Sequence, residues 1–155
     1  MAEFQEIATI CAPVEKVFEY RLNVKTLPEY NPDVTDLVAL QDEPAEGAVY
    51  EFKVKAGGGV SLKTKLTIER IDREAYELVF VMDSLMNARE LVKFTAIEEN
   101  GEPATRIEFN MKVLTPGGPL APLLDKLFVI KSARSQVLQE LRLMKKNLEA
   151  SSAAR

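Results

Sequence analysis

The chain has 155 residues, of which 46% are hydrophobic and 28% are charged. This composition is typical of one globular domain of ordinary size and argues against a disordered chain. The formal net charge is −4 at pH 7. We therefore expect no general electrostatic affinity for nucleic-acid phosphates, and little for an anionic membrane surface.

The residue types that are missing narrow the possible chemistry. The sequence has no histidine, so a Ser-His-Asp or Cys-His nucleophile system cannot be built. The single cysteine, Cys11, cannot form an intramolecular disulfide, which suits a reducing compartment. A zinc site needs more thiolates or imidazoles than this chain offers. The sequence therefore predicts neither a metal site nor another cofactor.

The sequence carries no sign of export or of a membrane anchor. Its first residues, Met-Ala-Glu-Phe-Gln-Glu, lack a basic region followed by an apolar run. No apolar stretch approaches the ~20 residues that a membrane span needs. We expect a cytoplasmic protein without stable membrane insertion.

The first thirty residues predict a strand followed by two short helices. Apolar and polar residues alternate from Phe4 to Cys11, as they do in a strand. Pro13 suits the first turn of a helix, and helical spacing of apolar residues continues to about Asn23. Two prolines, Pro28 and Pro32, bracket a second short helical turn at residues 27–31.

From residue 34 the hydrophobic period changes from 3.6 to 2, which predicts six further strands. Most connections between them read as hairpins, and Asn100-Gly101 is the strongest such signal. Hairpins imply an antiparallel sheet with one apolar and one charged face. The predicted strands are 34–40, 50–55, 60–69, 78–82, 92–96 and 107–113.

Residues 120 to about 149 return to the helical period and predict one C-terminal helix about 45 Å long. The small, polar residues 150–155 are expected to fray. There is no repeat and no linker long enough to separate domains, so residues 1–149 are interpreted as a single domain. Only this long helix can cover the apolar face of the sheet. The sequence therefore predicts an α+β helix-grip fold, a curved sheet of about seven strands wrapped around the helix, with room for an apolar ligand.

Two segments near the N-terminus resemble a known family. The stretch Ile10-Cys-Ala-Pro-Val-Glu-Lys-Val-Phe18, followed by Leu27-Pro-Glu-Tyr-Asn-Pro32, resembles the opening of the START-like, polyketide cyclase/dehydratase superfamily (SRPBCC, Bet v 1-like). Gly101 with Thr105-Arg106-Ile107 resembles that family's approach to its last strand, and the element order matches over essentially the whole chain. The resemblance implies a helix-grip fold with a cavity for lipids, quinones, polyketides or plant-hormone-like molecules. Tyr30 stands where many members carry tryptophan, which leaves the subfamily open.

Arg134 is the most informative candidate for a ligand contact. It lies in the apolar stripe of the last helix, between Ile130 and Val137. A buried cation is costly unless it is paired. Its guanidinium could bind a carboxylate or another oxygen of the ligand. It could instead form an internal ion pair with a strand carboxylate, or extend to the cavity mouth.

The other candidates for the cavity wall are large and mostly apolar, and methionines among them suit several ligands. They are Phe18, Tyr30, Phe52, Leu66, Phe80, Met82, Phe94, Met111, Leu127 and Ile130. Leu85 and Met86 occupy a predicted loop tip, where they could gate a portal or contact a partner, or could continue the preceding strand. No catalytic residue stands out from the sequence.

Three functions remain open at this point. The favoured one is a carrier or sensor of a hydrophobic small molecule with an acidic or oxygenated end. An enzyme of the cyclase or dehydratase type, which the resemblance permits, would need a polar residue pointing into the cavity. A protein-interaction module would depend on the loop with Leu85 and Met86. The sequence gives neither the identity of the ligand nor the oligomeric state.

Overall fold

A computed structural model describes residues 2–84, 87–114 and 126–153. Its element order confirms the predicted fold class, because seven strands, two short helices after the first strand and one long C-terminal helix follow one another as expected. The elements are β1 (Ala2–Ile10), α1 (Val14–Leu22), a 3-10 turn (Val24–Thr26), α2 (Leu27–Tyr30), β2 (Val34–Ala39), β3 (Val49–Gly57), β4 (Val60–Asp72), β5 (Glu77–Asp83), β6 (Asn87–Glu99), β7 (Glu102–Leu114) and α3 (Lys126–Ala153).

The described strands form one antiparallel sheet in the order β1-β7-β6-β5-β4-β3-β2. Strands β2 to β7 pair with their neighbours in sequence, and β1 pairs along the free side of β7. The pairing register shifts within β2, β3 and β4, between Thr35 and Val38, Lys55 and Gly57, and Ile68 and Arg70. Irregularities of this kind bend strands and increase their twist, so they help the sheet to curve around the helices.

The hairpin between β6 and β7 confirms the predicted turn. Asn100 and Gly101 both have positive φ, 53° and 79°, as a tight turn of this hairpin type requires. The two strands are longer than predicted, and β6 begins at Asn87 rather than at residue 92. Charged residues interrupt the apolar alternation here. Their backbone nevertheless pairs with both neighbours, and Glu90 stands opposite Phe80 on β5 and Met111 on β7.

The C-terminal helix also extends further than predicted. Helix α3 continues to Ala153, so residues 150–153 are helical rather than frayed. Ser151 accepts a hydrogen bond from Lys16 Nζ at 3.0 Å, and alanine favours the helical state. The predicted first residues of this helix, 120–125, lie outside the described residues. None of the described helices is long and apolar enough to cross a membrane.

The core lies between the inner face of the sheet and the helices, and one end of it is packed with aromatic rings. We call this the filled end and define it by Phe18, Tyr76 and Phe94. The Phe18 ring packs edge-to-face against the Tyr76 ring at 5.3 Å and the Phe94 ring at 5.4 Å between centroids. Such contacts leave little free volume.

Candidate functional site: a cavity with a buried ionic cluster

The opposite end of the core, which we call the cavity end, holds a cavity of about 190 Å³ between the sheet and α3. Its apolar walls come mainly from the strands and include Phe52, Val54, Leu62, Leu66, Met82 and Met111. Its polar groups are Arg21, Asn31, Thr64, Ser84, Glu90, Gln136 and Glu140. A wider surface groove near Asp36, Lys53 and Lys63 is open and charged, so it would not shelter an apolar ligand.

The cavity brings together some of the predicted wall residues. Phe52, Leu66, Met82 and Met111 line it. Four others are buried in the packed core and are not among its lining residues: Phe18, Tyr30, Phe80 and Phe94.

Four further candidates cannot be placed at the cavity. Leu127 and Ile130 belong to α3, but their side chains are not among those described. The predicted portal residues, Leu85 and Met86, lie outside the described residues. Their role at the site stays a prediction.

Arg134 lies away from the cavity, so the expectation that it is buried against a ligand is wrong. Its side chain is 48% exposed, and its Nε lies 2.6 Å from Oε1 of Glu6 on β1. Its guanidinium also lies 5.6 Å from the centroid of the Phe4 ring. The alternative of an ion pair with a strand carboxylate therefore describes its position.

The helical geometry explains this difference. At about 100° per residue, Arg134 and Glu140 are about 120° apart around the helix, with Val137 midway between them. Val137 is buried, so these two residues flank the buried face on opposite sides. The side with Arg134 meets β1, and the side with Glu140 lines the cavity. Periodicity locates the apolar stripe but does not show which flank meets the cavity.

Arg21, from α1, is the cation that lines the cavity among the residues whose side chains are described, and it is only 3% exposed. Its Nη1 donates a hydrogen bond to the Tyr30 hydroxyl at 2.7 Å. Its Nη2 lies 2.5 Å from Oε1 of Glu90, which is 2% exposed. The guanidinium also lies 4.8 Å from the centroid of the Phe80 ring. Removing either partner of this buried pair would leave an uncompensated charge in the core, which is strongly destabilising.

The local sequence explains why these two charges point inward. Arg21 follows Val17 by four residues and Phe18 by three, so it shares the buried face of α1. Glu90 alternates with Val92 and shares the inner face of β6. Neither Arg21 nor Glu90 is among the sequence-based candidates, although Arg134 was chosen on the same ground, a charge within an apolar stripe. A charge in register with an apolar face was the available signal.

Glu140 brings a second carboxyl to the cavity from α3 and is 8% exposed. Its Oε1 accepts a hydrogen bond from Asn31 Nδ2 at 2.8 Å. Burial raises the pKa of the Glu140 carboxyl to about 7; Arg21 opposes the shift, Glu90 adds to it, and the Asn31 hydrogen bond opposes it. This carboxyl is therefore able to gain or lose a proton near neutral pH.

Arg21, Glu90 and Glu140 form a buried ionic cluster, and their charges nearly balance. Burial disfavours the charged form of Arg21, but Tyr30, Glu90 and Glu140 outweigh this and hold the pKa of the guanidinium above its ordinary value. Burial also raises the pKa of the Tyr30 hydroxyl, which stays neutral and accepts the hydrogen bond from Arg21. Within the described part of the chain, no group of three acidic or cysteine side chains is placed to hold a metal ion.

Residues 1–149 match the model of the family described as "Polyketide cyclase / dehydrase and lipid transport". The match covers nearly the whole chain, so the protein belongs to this family, and the resemblance noted in the sequence is confirmed. A comparison with curated proteins finds no significant match.

Two solved structures show the same fold. One is the crystal structure of Ara h 8.0201, with 13% sequence identity, a TM-score of 0.74, and coverage of 96% of this chain and 98% of that one. The other is TTHA0849 from Thermus thermophilus, with 19% identity, a TM-score of 0.73, and coverage of 97% and 99%. Both resemble this chain over their whole length, and at these identities the likeness concerns the fold.

Proposed function

We propose that the protein binds a small, largely apolar molecule in the cavity between the sheet and α3. The observation that carries this proposal is the composition of the cavity, which has apolar walls and a few convergent polar groups, as small-molecule sites do. Its volume of about 190 Å³ is below the roughly 300–1,000 Å³ of sites for drug-sized ligands. A compact lipid or polyketide-like molecule is the class that this size and the family description support, and a quinone stays an expectation from the sequence resemblance.

The polar groups argue against the acidic ligand end that Arg134 had suggested. Arg134 is outside the cavity, and the cation that lines it, Arg21, is already paired with Glu90. A ligand carboxylate would therefore meet no unpaired cation among the described residues, and it would approach two protein carboxyls. We infer that the ligand has a neutral polar end.

A pair of matched variants tests whether a ligand occupies this cavity. Ala133 lines the cavity from α3, whereas Ser135 is exposed on the same helix. The protein is purified natively, and its native and denaturing mass spectra are compared for a released small molecule. We expect release from the wild type and from Ser135→Phe, but not from Ala133→Phe, whose new ring fills the cavity. Equal release from both variants would contradict the proposal.

A catalytic role in the same cavity is the second candidate function, and Glu140 is the observation that favours it. A buried carboxyl with a pKa of about 7 is suited to proton transfer at neutral pH. Such an enzyme would be of the cyclase or dehydratase type. Conversion of a linear β-polyketone to a cyclic product, lost in Glu140→Gln while binding persists, would support it. Binding without conversion would favour the carrier.

Two sequence-based expectations stay predictions. A cytoplasmic location follows only from the sequence. The protein-interaction alternative rested on Leu85 and Met86, which lie outside the described residues.

A further inference from the structure

Glu140 and Glu90 face the same cavity, but they differ in their partners. Glu90 forms a direct ion pair with Arg21. Among the described residues, Glu140 has a single hydrogen-bond partner, the amide of Asn31. Glu140 is thus the carboxyl of this cavity whose hydrogen-bonding capacity the protein leaves largely unused.

The groups that face Glu140 determine its charge. Arg21 comes from α1, Tyr30 and Asn31 from the end of α2, and Glu90 from β6. The lining residues from β3, β4, β5 and β7 are uncharged. Arg21 and Glu90 cancel one another, so an ionised Glu140 would leave a net negative charge in the interior. Protonation of Glu140 removes this charge, and the raised pKa agrees with that.

The hydrogen bond from Asn31 decides where the proton is held. Nδ2 of Asn31 donates to Oε1 of Glu140, so Oε1 acts as an acceptor. The proton of the neutral carboxyl is then carried by Oε2. No protein acceptor for Oε2 is found among the described residues, and Glu140 lines the cavity. An acceptor atom of the ligand would complete this arrangement.

We propose that protonated Glu140 selects the ligand by donating a hydrogen bond to a neutral carbonyl oxygen of an otherwise apolar molecule. This inference rests on the proposed binding function and specifies the polar end that the cavity accepts. A hydrocarbon would leave the donor unpaired, which is unfavourable in a buried site. A carboxylate would meet the negative charge of Glu90, and the described lining offers no free cation to balance it.

The proposal couples binding to the protonation of Glu140. The affinity for a carbonyl ligand is highest when the carboxyl is protonated and falls as the pH rises through its pKa. Glu140→Gln provides the matched variant, because the glutamine oxygen can accept from Asn31 while its amide nitrogen donates to the ligand at any pH. Glu149→Gln, on the same helix where Glu149 pairs with Lys145 outside the cavity, is the control.

Three probes of similar shape test the selection: acetylnaphthalene, a ketone; ethylnaphthalene, its hydrocarbon analogue; and naphthoate, a carboxylate. Their dissociation constants are measured by titration calorimetry at one pH below and one pH above the pKa of Glu140. At the lower pH we expect the ketone to bind about tenfold more tightly than the hydrocarbon, the effect of one good hydrogen bond, and naphthoate to bind weakest. At the higher pH the ketone loses about tenfold in the wild type and in Glu149→Gln, but not in Glu140→Gln.

The outcomes separate this inference from the function on which it rests. If the ketone and the hydrocarbon bind the wild type equally well at both pH values, and Ala133→Phe abolishes both, the cavity binds apolar ligands and the role of Glu140 is overturned. If no probe binds, or if Ala133→Phe binds them all as the wild type does, the proposed function fails and this inference fails with it. The wild-type series alone decides the matter if a variant does not fold.

Discussion

The two ends of the core are built from the same sheet and the same helices, yet they are packed differently. At the filled end, the rings of Phe18, Tyr76 and Phe94 meet edge to face and occupy the space. At the cavity end, side chains such as Met82 and Met111 surround an open volume that buried charged groups share. Tight packing and free volume therefore occupy separate parts of one core.

The transition between the two ends can be followed along β6. Its inward residues run from Ala88 and Glu90 at the cavity to Val92 and Phe94 in the packed core.

Arg21 lies at this transition between the two ends. Its guanidinium lines the cavity and also lies against the rings of Phe80 and Phe109, at 4.8 and 5.5 Å from their centroids. The Arg21–Glu90 pair thus forms a polar wall between packed rings and open space.

Truncating one residue at each end should give the largest contrast. We expect Phe18→Ala to lower the free energy of unfolding by about 3–5 kcal/mol, because it removes a fully buried ring from tightly packed neighbours. Met82→Ala should cost about 2 kcal/mol or less, because Met82 is half-buried and already borders free volume. Denaturant titrations followed by circular dichroism measure both losses. Equal losses would mean that the two ends are packed alike.

The second expected effect is a dependence of stability on pH that comes from the cavity end. The pKa of Glu140 rises from an ordinary 4.5 to about 7 on folding, so the folded state holds a proton that the unfolded state has released between these pH values. This contribution to stability is complete below about 4.5 and is lost as the pH rises through about 7, at up to about 1.4 kcal/mol per pH unit.

Replacing Glu140 isolates this contribution from all other titrating groups. The free energy of unfolding is measured by denaturant titration at a series of pH values from 4.5 to about 7. Glu140→Gln should flatten the decline, whereas Glu149→Gln, on the same helix, should keep it. An unchanged slope in Glu140→Gln would show that the cavity carboxyl does not hold a proton in the folded state.

Much of the fold could be predicted from the sequence, because its signals are local. The change of period at residue 34, the Asn100-Gly101 turn and the apolar stripe of α3 define the element order. Alternation along β3, β4 and β7 and the apolar run of β5 also identified four cavity-lining residues, Phe52, Leu66, Met82 and Met111.

The ionic cluster could not be predicted in the same way. Glu90 falls in the part of β6 that was not recognised as strand, because charged residues there break the apolar alternation. Glu140 lies at the margin of the buried face of α3, and the ionic partner of Arg21 and the hydrogen-bond partner of Glu140 come from distant parts of the chain. Periodicity locates the apolar stripe of α3, but it does not show which margin of that stripe meets the cavity.

The smallest expected effect concerns the pair of Arg134 and Glu6, which tests where the cavity end stops. Because Arg134 is half-exposed, Arg134→Leu should change the free energy of unfolding by less than about 1 kcal/mol. Its dissociation constants for acetylnaphthalene and naphthoate should equal those of the wild type, since the residue is outside the cavity. A selective loss of naphthoate binding would instead show that Arg134 reaches the bound ligand. The cavity would then extend along α3 toward β1, and an acidic ligand end would again be the better interpretation.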